Sequence, residues 1–68
     1  IMHISKGDLV RVRLDLEYGM GVCKEQLEYA GKEFIVDFEV GYGVCLKGND
    51  FVWKPTDLEL IKKGDYQC

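Results

Sequence analysis

The sequence predicts an all-β fold: a small five-stranded SH3-like barrel with one short helical turn in its first long loop. Three observations predict it. Residues 9–16 and 32–40 alternate apolar and polar side chains, which is the period of a half-buried strand. From Gly31 to Ile61, three strand patterns follow one another across glycine and asparagine turns. A Lys54-Pro55-Thr56-Asp57 break then precedes a last apolar stretch, Leu58 to Ile61. An OB-fold also has five strands, but it usually needs a longer chain and ranks second.

Each element follows from its residues. Lys6-Gly7-Asp8 opens the fold with a turn. Val10, Val12, Leu14 and Leu16 then face one way, and Arg11, Arg13 and Asp15 the other, with Leu9 an exception on the polar side. Glu17-Tyr18-Gly19-Met20-Gly21 breaks the strand into a loop. Lys24 to Ala30 holds good helix formers but is too short for an independent helix. One or two turns ending at Gly31 are expected there, with Leu27 and Ala30 docking on the barrel. Phe34, Val36, Phe38 and Val40 share a face of the next strand, and Ile35 is its exception. Tyr42, Val44 and Leu46 alternate with Gly43, Cys45 and Lys47. Gly48-Asn49-Asp50 forms a hairpin turn, since Gly and Asn tolerate positive φ. Phe51 to Lys54 returns, and Pro55 ends that strand because proline cannot donate to the ladder. The expected core is Phe34, Val36, Phe38, Val44 and Leu46. Residues 63–68 are expected to be a polar, flexible tail of one domain spanning 1–68.

A chain of 68 residues buries only about 60% of its unfolded surface, so its core is thin. A hydrophobic fraction of 47% with 31% charged residues describes a folded chain, not a disordered one. No apolar run is long enough to span a bilayer, and the first residues carry no export signature. Cys23, Cys45 and Cys68 are an odd set without a close pair, which fits reduced thiols in a cytoplasm. A Cys23–Cys45 disulfide stays open from sequence. The net charge of -3 disfavours binding through nucleic-acid phosphates.

Gly7-Asp8-Leu9-Val10-Arg11-Val12-Arg13, Asp15-Leu16, Tyr18-Gly19, Leu27-Glu28-Tyr29-Ala30-Gly31-Lys32, Trp53 and Asp57-Leu58-Glu59 carry a resemblance. Over nearly its whole length the chain resembles a family of small uncharacterised proteins of phages, prophages and mobile elements of Gram-positive bacteria. Members often carry methionine where Leu27 and Leu58 stand. The resemblance implies an SH3-like barrel and a mobile-element origin. It implies no catalytic residue.

Catalytic chemistry finds little support. His3 is the only histidine and Ser5 the only serine, so a nucleophile, base and orienting group do not assemble. No Cys-x-x-Cys pair exists for zinc, no calcium loop and no phosphate-binding glycine loop. The expectation is a protein that is not an enzyme and takes no cofactor and no metal. Carboxylate pairs such as Asp37 and Glu39 read as solvated surface.

The aromatic residues are the binding candidates. Tyr18 and Met20 in the first loop, Tyr29 after the helical turn, Trp53 and Pro55 are the proposed partner-binding set. A thin core also needs large side chains, and Trp53 fits that role better. A protein partner is expected, and the resemblance implies a host or phage complex, such as a bacterial defence system. Arg11, Arg13, Lys24 and Lys32 form an alternative basic patch for nucleic acid or a nucleotide, with aromatic stacking. The arginines fit cross-strand pairing with Glu33, Asp37 or Glu39 better. Free sheet edges also allow a homodimer or a structural subunit of a larger assembly.

Overall fold

The computed structural model describes residues 3–64. Five strands form one antiparallel sheet: β1 (Leu9–Val12), β2 (Glu33–Val40), β3 (Gly43–Leu46), β4 (Val52–Trp53) and β5 (Leu58–Lys62). Their order is β4-β3-β2-β1-β5, so the last strand returns beside the first. Among the described residues β4 and β5 do not pair, so the sheet is open. A short helix, α1 (Lys24–Leu27), lies in the β1–β2 connection, and a 3-10 turn spans Pro55–Asp57.

β2 is the hinge of the sheet. Its first half pairs with β1 through Glu33, Phe34 and Ile35, and its second half pairs with β3. Between Val36 and Phe38 the register shifts, with Asp37 as the extra residue. A bulge of this kind bends a strand and interrupts its alternation. Phe38 is therefore not in the core, as its pattern with Val36 predicted; it is 49% exposed, while Val36 is fully buried.

β1 is also shorter than its alternation. After Val12, the chain turns, and Leu14 lies 79% exposed instead of facing the core. The strand ends because its partners end. Gly31 N–H donates to the Val12 carbonyl and Arg13 N–H to that of Asp57, which leaves no ladder for Leu14. Gly31 takes φ +83°, and an added Cβ there would lie 2.8 Å from Leu14 Cδ2.

The core joins Ile4, Val10, Val12, Val36, Val44, Leu46, Trp53 and Leu58. Trp53 is fully buried at its centre. Tyr29, Phe34 and Phe51 pack around it, and Tyr29 makes edge-on contacts with all three other rings. Asn49 organises the β3–β4 turn with its side chain: Oδ1 accepts Phe51 N–H at 3.1 Å and the Trp53 indole N–H at 2.9 Å. Positive φ falls on Gly48, not on Asn49.

Gln26, rather than Leu27, is the buried residue of α1. Its Oε1 accepts Cys23 N–H at 2.9 Å, capping the helix, and its Nε2 donates to the Val52 carbonyl at 3.3 Å. One side chain thus closes a helix end and covers part of the β4 edge.

β3 and β4 approach closely at Gly43, where an added Cβ would collide with the Trp53 carbonyl oxygen. Gly43→Ala is expected to destabilise the domain by about 1–3 kcal/mol, because a backbone strand must shift. Urea unfolding followed by circular dichroism measures it; an unchanged midpoint contradicts the tight packing.

Lys63 and Gly64, expected to begin a flexible tail, are instead held by Asp8. Residues 65–68 lie outside the described residues.

Candidate functional site

A cleft of about 500 Å³ lies between the β1–β2 loop and the 3-10 turn. Leu16, Tyr18, Met20 and Val22 line it from the loop, and Lys54, Thr56 and Asp57 from the opposite wall.

The loop tip is a two-residue hairpin. Gly19 and Val22 exchange backbone hydrogen bonds of 2.9 and 3.0 Å. The central residues, Met20 and Gly21, have φ of +53° and +89°. Positive φ at both positions is the mark of a type I′ turn, which favours Asn-Gly and Gly-Gly. Met20 is the only non-glycine residue with positive φ among the described residues.

The tip is strapped to the opposite wall. Lys54 Nζ donates to the Met20 carbonyl at 2.6 Å and lies 3.2 Å from Asp57 Oδ2. The same carboxylate oxygen accepts Lys54 N–H at 3.1 Å, which caps the 3-10 turn. Asp57 is buried, so its charge is matched by Lys54 and held by a backbone donor. The carboxylate fixes the lysine, and the lysine fixes the loop.

Two large side chains stand out from this strapped loop. Tyr18 is 66% exposed and Met20 is 92% exposed. Lys24 Nζ lies 5.9 Å from the Tyr18 ring centroid, a cation–π arrangement that orients one face of the ring. Two carboxylates flank them. Asp15 receives a hydrogen bond from Arg13 Nε at 3.0 Å, which holds its carboxyl below the ordinary value. Glu17 has no ion pair among the described residues.

The other predicted binding residues lie elsewhere. Trp53 is fully buried and offers nothing to a partner. Tyr29 is half-buried within the aromatic cluster, with Lys32 Nζ 5.6 Å from its ring centroid. Pro55 is exposed but lines a second, smaller cleft of about 310 Å³ with His3, Glu39 and Tyr42. Tyr18 and Pro55 therefore do not share a groove. Of the five residues proposed from sequence, only Tyr18 and Met20 line the larger cleft.

The alternative basic set is engaged inside the chain. Arg11 Nε meets Glu59 Oε1 at 3.0 Å, across the β1–β5 ladder rather than toward β2. Arg13 meets Asp15. Lys24 and Lys32 each lie over a tyrosine ring. Cys23 and Cys45 are free thiols, not a disulfide, and Cys68 lies outside the described residues. Among the described residues, no three His, Cys, Asp or Glu side chains gather as a metal site, and no helix is long and apolar enough to cross a membrane.

Sequence reasoning did not find Lys54 and Asp57. Their pairing is written in the Lys-Pro-Thr-Asp spacing of a capped turn, but the contact with Met20 joins residues 34 apart. Tyr42, 75% accessible beside Pro55, lies outside the binding set proposed from sequence, since its alternation groups it with Val44 and Leu46.

Fold and site together define a small, mostly β fold that displays a loop tied to the opposite wall of an open cleft. Comparison with protein-family models, with curated proteins and with solved structures gives no match.

Proposed function

We propose that this chain is a non-enzymatic binding module that docks on a protein partner through the Tyr18–Met20 loop and its cleft. One observation carries this reading: two large side chains, 66% and 92% exposed, are held out on a loop that Lys54 and Asp57 fix in place. A loop ordered without a partner loses little conformational freedom on binding, which favours affinity. Aromatic residues and methionine are enriched at interface centres. The strand order β4-β3-β2-β1-β5 and the bent β2 support an SH3-like barrel, here open between β4 and β5. The resemblance to small phage and prophage proteins supports an accessory role against a host or phage complex, with inhibition of a defence system as its concrete form.

Affinity capture from a bacterial lysate with wild type and Tyr18→Ala tests the reading. Tyr18 is exposed, so its loss is expected to change stability by no more than about 0.5 kcal/mol. Capture of the partner is expected to weaken at least about tenfold. Equal capture by both proteins sinks the loop as the docking site. A ligand that proves to be DNA or RNA, with affinity falling steeply in salt, replaces the protein partner. Trp53→Ala does not serve here, because it removes the core.

A further inference from the structure

Resting on that docking reading, we infer that Met20 is the side chain this protein inserts into its partner, so that the partner supplies an apolar pocket with a basic rim. The direction of insertion is the new element: the loop tip is the knob, and the pocket belongs to the other protein.

Nothing in the fold itself accounts for Met20. Its side chain is 92% exposed, so it fills no space in this chain. Its backbone sits at φ +53°, where an L-residue with a Cβ is disfavoured and Asn or Gly is the usual choice. Both neighbours are glycines with positive φ, Gly19 at +98° and Gly21 at +89°. Lys54 binds the Met20 carbonyl, so it anchors the backbone and leaves the thioether free. A strained, apolar and exposed residue on an anchored backbone breaks several local rules at once. Such breaks concentrate at functional positions. Methionine also suits a pocket of irregular shape, since its unbranched side chain adapts.

Charge selects the kind of partner. Three carboxylates, Asp15, Glu17 and Asp57, line the cleft against two cations, Arg13 and Lys54. Arg13 pairs with Asp15 and Lys54 with Asp57. Lys24 lies over the Tyr18 ring, and Glu17 has no ion pair among the described residues. The chain as a whole carries a net charge of -3. An anionic membrane surface repels such a tip, whereas lysine or arginine at the edge of a protein pocket complements it.

The test selects peptides from a displayed random library on the wild-type chain, then measures them on variants. The selected peptides are expected to combine apolar residues with Lys or Arg. Met20→Asn is expected to weaken them at least about tenfold while raising the thermal midpoint by about 3 °C, because asparagine suits the turn. Met20→Leu is expected to keep binding. Peptides that survive Met20→Asn but are lost with Tyr18→Ala overturn the role of Met20 and leave the docking reading intact. Peptides insensitive to both substitutions overturn both. A midpoint that Met20→Asn lowers or leaves unchanged overturns the strain argument. Co-sedimentation of wild type, but not Met20→Asn, with phosphatidylcholine–phosphatidylglycerol vesicles replaces the protein pocket with a membrane.

Discussion

Trp53→Ala is expected to remove about 3–5 kcal/mol of the domain's stability. Trp53 is fully buried at the centre of a core of small and medium side chains, and it is the largest of them. Its ring lies 6.1 Å, centroid to centroid, from both Tyr29 and Phe51, and its indole N–H donates to Asn49 Oδ1. Truncation removes this packing, opens a cavity and leaves one of the two donors to Asn49 missing. Such changes cost about 3–5 kcal/mol. A chain of 68 residues has roughly 3–10 kcal/mol of total stability, so the substitution removes a large part of it. Far-UV circular dichroism in urea reads the loss without needing the tryptophan signal. Trp53→Phe is expected to lose less, because the ring volume is partly kept while the hydrogen bond goes. A folded Trp53→Ala protein with the wild-type midpoint would show that the core is not built around this side chain.

Asp8→Asn is expected to cost about 2–3 kcal/mol at neutral pH and to change how stability depends on acid. Asp8 is fully buried at the start of β1. Its carboxylate accepts hydrogen bonds from Ser5 N–H at 2.9 Å, Gly64 N–H at 2.6 Å and Lys63 Nζ at 2.8 Å. Burial by itself pushes this carboxyl up, but the Gly64, Lys63 and Ser5 donors outweigh it and hold the carboxyl below its ordinary value. The sign follows from linkage. A carboxyl with a depressed folded value stabilises fully above its unfolded value of about 3.9, and that stabilisation is lost as pH falls through the folded value. Asparagine offers an amide N–H₂ where a second acceptor is needed, so one donor is left facing a donor. The gap between wild type and Asp8→Asn is therefore expected to be largest near pH 7 and to shrink below about pH 4. Urea unfolding at a series of pH values measures it. A gap that stays constant from pH 7 to pH 3 would contradict the charged clasp.

This clasp has a second consequence. Asp8 joins the opening turn to the residues that follow β5, and Gly64 sits so close to Gly7 that an added Cβ would lie 2.6 Å from the Gly7 carbonyl carbon. The two ends of the fold are thus closed by one buried carboxylate and one glycine. Lys63 also reaches the His3 carbonyl and Ser5 Oγ at 3.3 Å each, which ties the same region further.

Much of the architecture was legible because strand periodicity is local. Val10 and Val12 on β1, Val36 on β2 and Val44 and Leu46 on β3 are buried as their alternation implied. The turns at Gly31 and Gly48 and the stop at Pro55 were legible for the same reason, since each depends on one residue's backbone. Phe38 and Leu14 were not. Phe38 leaves the core because a bulge opposite β3 adds a residue, and Leu14 leaves it because the neighbouring strands stop first. Alternation describes a strand that continues, but pairing decides where it continues. At the candidate site, Tyr18 was legible as an aromatic residue beside glycines with no core reason to be there. Trp53 was ambiguous between core and groove until its surroundings were known.

The sequence by itself determined a mostly β chain, the order of its strands and the loop that carries Tyr18 and Met20. Period and turn chemistry act over a few residues and need no distant partner. Only the tertiary structure decided that Trp53 belongs to the core, that Lys54 straps the loop tip and that Asp8 closes the fold. Those facts rest on contacts between residues 34 apart for Lys54 and Met20, and 55 and 56 apart for Asp8 with Lys63 and Gly64. Their physical basis is apolar burial and the pairing of polar groups, both of which depend on where the folded backbone brings distant residues together.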